Sequence, residues 1–303
     1  MPFVPDHAAL TPAFLGREVA PYVPGLDAAS ARALPTGDAS YAVDFGAVIV
    51  RLPRDAGALE ALRREAAVCT ALPAFPDLAT PHPVVVEAGA YPFAWHRKIP
   101  GEHLTPEVYG ALSETQKDSM AATLVQFFAA LHAATPRLGP LGSAEPWPWY
   151  LSPEALHAAA PGVIPPDLAA HFAQAMAAYE SLEVAPKDMV FGYFDAHGQN
   201  MAFDAGAGRL VGLYDFADCG TGDRHADFHP LNTISPDLTS RVVEHYTALT
   251  GIPVDLRRVH FYTTVCNYNA LLEVATGRWS LVGDTVESLL HQIRHWAALG
   301  LWP

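Results

Sequence analysis

Residues 190–228 have the sequence VFGYFDAHGQNMAFDAGAGRLVGLYDFADCGTGDRHADF, and this stretch decides the fold. Two apolar runs, MAF and RLVGLY, flank a glycine-rich turn and so predict a β-hairpin. Asn200 and Asp215 are equidistant from the centre of that hairpin, near residue 207. Antiparallel pairing would therefore place them side by side at its open end, with Asp195 on the loop that enters it.

The three side chains gathered by this hairpin are suited to one kind of chemistry. Asp195 is a candidate general base, and Asn200 with Asp215 supplies oxygen atoms of the kind that Mg²⁺ prefers. Such a set suits phosphoryl transfer to a hydroxyl group, which depends mostly on positioning and charge neutralisation. Asp and Asn are also common turn residues, so each residue alone predicts little, and their joint arrangement carries the prediction.

The composition narrows the classes of protein that can carry such a site. The 303 residues include 18 Lys or Arg and 32 Asp or Glu, giving a formal net charge of −14, and 50% are hydrophobic. These values predict an ordered globular protein with a sizeable core. The acidic balance disfavours a nucleic-acid partner, because phosphate binding relies on basic faces. A cationic substrate or a metal ion is compatible with it, but net charge does not choose between them.

Other features of the sequence concern location. There is no apolar run of the length that a membrane span needs, and the first residues do not resemble a secretory signal. The three cysteines show no CxxC spacing. We therefore expect a reduced, cytoplasmic protein without a membrane partner.

Apolar periodicity predicts two unequal parts of the chain. Residues 41–52 predict a hairpin, residues 58–72 a helix, and residues 82–101 two further short strands. The proline-rich segment 145–153 is expected to be irregular. Helical spacing dominates the rest of the chain, at residues 113–134, 167–182, 238–250, 256–276 and 285–299.

The pattern D-x-x-x-x-N, a short hairpin, two hydrophobic residues and Asp-Phe resembles the catalytic core of the aminoglycoside phosphotransferase and choline kinase-like family. The resemblance extends over most of the chain. It implies an α+β, bilobal protein-kinase-like fold, with a small β-rich N-lobe (residues 1–98) and a larger, mainly helical C-lobe (residues 99–303). It also implies transfer of the γ-phosphate of ATP or GTP to a hydroxyl group of a small molecule. Asp195 would be the catalytic base, and Asn200 and Asp215 the Mg²⁺ ligands.

Two stretches of the N-lobe extend the resemblance to the nucleotide site. LPTGDASYAVDF is similar to the phosphate-covering hairpin of the family, although Gly37 is its one glycine. Ser40 is the best side-chain donor within it. The segment WHRKIPG resembles the hinge between the lobes, where main-chain groups near Arg97 and Ile99 would hold the nucleobase.

Arg51 ends the second strand of the predicted N-terminal hairpin, where kinases carry a phosphate-binding lysine. Arginine also brings positive charge to phosphate, and it does so through two parallel hydrogen bonds. Glu65 lies in the middle of an apolar helix stripe, where an unpaired carboxylate is costly, so we expect an Arg51–Glu65 ion pair. Glu60 and Arg64 on the same helix are interpreted as solvated.

The segment GTGDRHADF is similar to the Gly-Asp-x-x-x-Asp segment of the family. Asp223 and Asp227 within it are interpreted mainly as structural residues. Asp223 is nevertheless one of three candidate substrate contacts, together with His197 and Asp218. His132, on the helix predicted over 113–134, is interpreted as a core histidine.

Two alternatives stay open at this stage. Tyr193 replaces the histidine that usually precedes the catalytic aspartate by two residues, so one alternative is a kinase-fold nucleotide-binding regulatory protein without turnover. The other is a zinc site, since His225 and His229 have the spacing of HExxH, but Ala226 stands where that motif needs glutamate. The acceptor could be an aminoglycoside, a macrolide, choline, homoserine or another hydroxylated metabolite, and the sequence leaves the oligomeric state open.

Overall fold

The structure is a computed structural model that describes residues 2–4, 6–34, 39–148, 150–278 and 284–302. Gly37 of the predicted phosphate-covering hairpin lies outside the described residues. The chain forms a β-rich N-terminal part and a larger helical part, which confirms the α+β prediction. None of the described helices combines the length and the apolar character that crossing a membrane requires.

The N-terminal part contains a five-stranded antiparallel sheet with strand order β1-β2-β3-β5-β4. The predicted hairpin of residues 41–52 forms β2 and β3, and its turn contains Gly46 with a φ of 79°. The predicted helix of residues 58–72 forms α2. The bounds of these elements are α1 Pro12–Glu18, β1 Arg32–Ala33, β2 Ser40–Asp44, β3 Val48–Pro53, α2 Ala56–Ala71, β4 Val84–Val86 and β5 Phe93–Arg97.

The two faces of this sheet differ in composition. Successive side chains of a strand point to opposite sides, so alternate residues of each strand lie on the same face. One face is apolar and packs against α1, and it includes the buried side chains of Val43, Val50 and Phe93. The other face includes Ser40 and Arg51 and lies toward α2 and the helical part. The alternation thus places the nucleotide-site candidates of β2 and β3 on one side of the sheet.

The helical part contains the predicted long helices, and α4 packs lengthwise on α9 over the main apolar core. Its first helices and strands are α3 Pro106–Gly110, α4 Glu114–Ala133, α5 Thr135–Leu138, β6 Ser143–Trp147, α6 Pro153–Ala159, α7 Ala169–Glu180 and β7 Met189–Gly192. The remaining ones are β8 Met201–Asp204, β9 Arg209–Leu213, β10 Gly220–Asp223, α8 Arg224–Phe228, α9 Pro236–Thr250, α10 Leu256–Ala275 and α11 Val286–Ala298.

The expectation of an irregular proline-rich segment is wrong where that segment overlaps β6. This strand pairs in parallel with β10, which pairs on its other side with β7 in antiparallel fashion. Parallel pairing uses backbone groups that are distant in sequence, so the local composition of residues 145–153 does not reveal it. Apolar periodicity also does not predict the short helices α1, α3 and α6. Each of them nevertheless begins with a Ser or Thr cap followed by proline, which is a common helix start.

Candidate active site

The hairpin of β8 and β9 brings the predicted catalytic residues together, but not in the predicted register. Met201 lies opposite Leu213, and the carbonyl oxygen of Asn200 accepts the N–H of Tyr214 at 3.1 Å. Asn200 therefore lies opposite Tyr214, and the expected pairing with Asp215 is wrong by one residue. The physical reason is the position of the turn, since Asp204 pairs with Arg209 and the hairpin is therefore centred between residues 206 and 207. An irregularity between Ala202 and Phe203 shifts the register by one residue and offsets only part of that difference.

Asp215 follows β9 with a backbone φ of 61°, a conformation that L residues rarely adopt. This conformation ends the strand and turns the chain, and Asp215 Oδ1 lies 3.4 Å from Arg51 Nη2. The Asp215 side chain is 42% exposed, so its carboxylate remains open to a ligand.

Asp195 and Asn200 are in direct contact. Asn200 Nδ2 donates to Asp195 Oδ2 at 2.5 Å and to the Asp195 carbonyl oxygen at 3.1 Å. His197 Nε2 lies 3.2 Å from Asp195 Oδ1. Burial acts to lower the pKa of His197, but its hydrogen bond with Asp195 and the nearby carboxylates outweigh burial and raise it. The amide nitrogen of Asn200 is thus committed to Asp195, which leaves its oxygen for another ligand.

The expected ion pair between Arg51 and Glu65 forms. Arg51 Nη1 donates to Glu65 Oε2 at 2.6 Å, and Glu65 Oε1 accepts the N–H of Phe216 at 3.1 Å. Burial raises the pKa of Glu65, against the opposing charge of Arg51. Glu65 therefore connects β3 to the residue after Asp215. The expectation that Arg64 is solvated is wrong, because Arg64 is partly buried and its Nη2 donates to the Ala217 carbonyl at 3.3 Å.

The site carries an excess of negative charge. Burial and the nearby charges of Asp195 and Asp215 together raise the pKa of Asp218 to about 7, while the charge of Arg64 opposes them. The available oxygens of Asn200 and Asp215 fit a hard cation such as Mg²⁺, which binds few protein groups and keeps several waters. The part of the chain that the structure describes has no group of three or more His, Cys, Asp or Glu side chains arranged for a metal. A Mg²⁺ ion here would therefore depend on Asn200, Asp215, water and a ligand.

Ser40 lies on the face of the sheet that carries Arg51, and the hinge segment lies close to β9. Ser40 Oγ is buried and has no hydrogen-bond partner among the described residues. Arg97 is exposed at the end of β5, opposite Val48. Ile99 packs against Gly212, where an added Cβ would lie 2.5 Å from Ile99 Cγ2. A glycine is thus needed for the hinge to approach β9.

The loop that carries Asp195 is fixed by residues that sequence analysis had not linked to the site. Phe194 has a φ of 60°, its N–H donates to Asp227 Oδ1 at 2.5 Å, and its ring stacks on Trp147 with centroids 4.8 Å apart. Asp227 Oδ2 lies 2.8 Å from His132 Nε2, and His132 Nδ1 lies 2.9 Å from the Tyr246 hydroxyl. The buried position of His132 agrees with its interpretation as a core histidine.

Asp223 is fully engaged away from the cleft, which corrects its role as a candidate substrate contact. Its Oδ1 accepts from His225 Nδ1 at 2.7 Å, and its Oδ2 accepts from Arg258 Nε and the Tyr262 hydroxyl, each at 2.7 Å. Burial alone would raise the pKa of Asp223, but these partners hold it below its ordinary value. His229 contacts Tyr150 at 3.0 Å, so the two histidines of the zinc alternative have separate partners.

With this geometry established, the comparisons define the class of protein. Residues 31–262 match the model of the phosphotransferase enzyme family, and the chain belongs to that family. Comparison with curated proteins gave no match.

Solved structures place the chain among protein-kinase-like folds. The GDP complex of wild-type aminoglycoside 2'-phosphotransferase-IIIa has a TM-score of 0.74 and 19% identity, over 89% of this chain and 93% of that one. A choline/ethanolamine kinase family protein from Mesorhizobium loti has a TM-score of 0.60 and 16% identity, over 95% and 92%. Macrolide 2'-phosphotransferase MphH from Brachybacterium faecium has a TM-score of 0.60 and 18% identity, over 83% and 89%. At these identities the likeness establishes the fold alone.

Proposed function

We propose that the protein is a magnesium-dependent small-molecule kinase, which transfers the γ-phosphoryl group of ATP or GTP to a hydroxyl group. The observation that carries this proposal is the chain of contacts from Glu65 through Arg51 to Asp215. It places a buried, oriented cation from the N-terminal sheet beside a carboxylate that follows the catalytic hairpin. Positioning charge of both signs across one cleft is what phosphoryl transfer requires.

The nucleotide would lie between the N-lobe, proposed as residues 1–98, and the C-lobe, proposed as residues 99–303. Arg51 would bind its phosphates, oriented by Glu65, and Ser40 Oγ would donate a further hydrogen bond that it lacks within the described residues. Main-chain groups near Arg97 and Ile99 would hold the base. Related folds have been solved with GDP, ADP and ATP, which supports a purine nucleotide as co-substrate.

Asp195 would accept the proton of the acceptor hydroxyl as its oxygen attacks the γ-phosphorus. Asn200 orients that carboxylate through its Nδ2, and its remaining oxygen, with Asp215, would hold Mg²⁺. The metal would supply neutralisation of charge on the phosphates. His197 contacts Asp195, and the negative charge of Asp195 acts on Asp218. Both residues are therefore proposed as substrate contacts.

The acceptor is proposed only as a small hydroxylated molecule. Solved relatives hold kanamycin, gentamicin or streptomycin, and another is a macrolide phosphotransferase, so the fold serves acceptors of different chemistry. At 17–18% identity these relatives do not select one acceptor for this chain.

The test is an ADP- and GDP-release assay with a panel of aminoglycosides, macrolides and amino alcohols, alongside thermal unfolding with MgATP and MgGTP. We expect the nucleotide to raise the unfolding temperature, and one acceptor class to stimulate release. Binding without turnover on any acceptor would favour the nucleotide-binding regulatory protein instead. Absence of any nucleotide effect on unfolding would contradict both.

A further inference from the structure

His96 lies on the face of the N-terminal sheet that borders the cleft. In the antiparallel pairing of β3 and β5, His96 is opposite Ile49, and residues directly opposite each other share a face of the sheet. Ile49 is two residues before Arg51 and so shares its face as well. Arg51 contacts Asp215 across the cleft at 3.4 Å, which identifies the direction in which this face points.

The hydrogen bonding of His96 fixes its tautomer. Nδ1 lies 2.8 Å from the carbonyl oxygen of Arg97, and because a carbonyl only accepts, Nδ1 must carry the proton. Burial lowers the pKa of His96, and the positive charge of Arg51 also lowers it, so the ring is neutral at physiological pH. Nε2 then has a free lone pair, and it has no hydrogen-bond partner among the described residues.

The distance along the strand between His96 and Arg51 matches the distance between the base and the phosphates of a nucleotide. Two residues of extended strand span about 7 Å, which separates the level of His96 and Ile49 from that of Arg51. A nucleotide with its phosphates at Arg51 would have its base at the level of His96, directly before the hinge main chain of Arg97 to Ile99. No side chain in the proposed mechanism yet contacts that base.

We propose that His96 selects adenine over guanine through a hydrogen bond from the 6-amino group of the base to Nε2. The proposal rests on the proposed function and extends it to the choice of co-substrate. On the edge that carries N7, adenine presents an amino donor at position 6, whereas guanine presents only acceptors. A neutral imidazole whose unprotonated nitrogen accepts a hydrogen bond is complementary to the 6-amino group of adenine. Opposite the 6-oxo group of guanine, the lone pair of Nε2 would face a lone pair of the oxygen and be repelled.

The test compares the binding of ADP and of inosine diphosphate by calorimetry in the presence of Mg²⁺. Inosine carries the 6-oxo group without the 2-amino group of guanine, so it removes the contribution of the 2-amino group. Its N1 carries a proton that adenine lacks, so the contribution of His96 is measured by the difference between the wild-type protein and His96→Met. We expect the wild-type protein to bind ADP about tenfold more tightly, since one unmatched polar contact is at stake. In His96→Met, which removes the acceptor and keeps an unbranched side chain of similar length, the preference should fall to about twofold. His82→Met, on an exposed N-lobe histidine, is the matched control and should keep the wild-type ratio.

The outcomes separate this inference from the function on which it rests. An ADP preference that stays at the wild-type ratio in a folded His96→Met protein, or a wild-type ratio near one, overturns the role of His96 while phosphate transfer stands. Failure of ADP, GDP and inosine diphosphate to bind at all overturns the proposed function instead. Thermal unfolding of His96→Met without nucleotide verifies that the variant is folded.

Discussion

The hydroxyl group of Tyr193 donates a hydrogen bond to the carbonyl oxygen of Tyr214, the residue directly before Asp215. Tyr193 is itself two residues before Asp195, and its ring is fully buried against Phe216 with centroids 4.9 Å apart. One side chain thus joins the loop of the proposed base to the backbone of the residue directly before the proposed metal ligand. Tyrosine fills the position of the usual histidine and makes a specific polar contact there.

Replacing Tyr193 by Phe should lower kcat about fivefold, with a smaller change in the KM for nucleotide, because one buried hydrogen bond is worth about 1 kcal/mol. The Mg²⁺ concentration for half-maximal activity should rise, since the loss acts on the position of Asp215. Steady-state kinetics at varied Mg²⁺ measures both effects.

Tyr193→His is the matched variant, because imidazole restores a donor at the position that the family usually fills with histidine. It should recover activity and the Mg²⁺ requirement relative to Tyr193→Phe. Equal loss in the two variants, with no change in Mg²⁺ dependence, would mean that Tyr193 contributes packing only.

Asp195→Asn should reduce turnover by a factor of about 10²–10⁴, the contribution typical of a general base, while MgATP still raises the unfolding temperature. Asp215→Ala should instead abolish the tightening of nucleotide binding by Mg²⁺. Asp204→Asn is the control, since its Oδ1 accepts the N–H of Ala207 within the exposed turn. Wild-type turnover in Asp195→Asn on a true acceptor would be incompatible with its assigned role.

Arg51→Met should destabilise the fold by about 3 kcal/mol, because it leaves the buried carboxylate of Glu65 without its cation. Glu65→Gln should be milder, since the amide is neutral and can still accept the N–H of Phe216. The double variant should regain part of the loss of Arg51→Met. Urea unfolding of the four proteins measures this, and a strictly additive double variant would show that the pair does not interact.

Sequence patterns predicted the residues of this site better than they predicted how those residues are held. Asp195, Asn200 and Asp215 follow from local spacing and a single turn. The one-residue register difference at Asn200 arises because the turn is centred closer to β8 than the equal spacing of Asn200 and Asp215 predicts, and an irregularity between β8 and β9 offsets only part of that difference. Local patterns locate single elements, whereas register depends on the whole pairing.

The contacts that hold the loop of Asp195 could not be predicted from the sequence, and the reason is different. Phe194 is held by Asp227, 33 residues downstream, and by Trp147, which lies at the end of a strand in a proline-rich segment. Such contacts are set by tertiary packing between distant segments. The same holds for the four hydrogen bonds by which His225, Arg258 and Tyr262 engage the carboxylate of Asp223.

Ile99 of the hinge lies so close to Gly212 in β9 that the space between them cannot hold a methyl group. A Cβ at this position would lie 2.5 Å from Ile99 Cγ2 and 2.9 Å from the Ala79 carbonyl oxygen. Gly212→Ala should therefore destabilise the fold by about 1–3 kcal/mol and weaken ATP binding, because Ile99 must move away from β9. Gly110→Ala is the control, since a Cβ there meets nothing within 4 Å and alanine favours the helix. Chemical unfolding and nucleotide calorimetry measure both effects, and a Gly212→Ala protein with unchanged stability would show that Ile99 yields without cost.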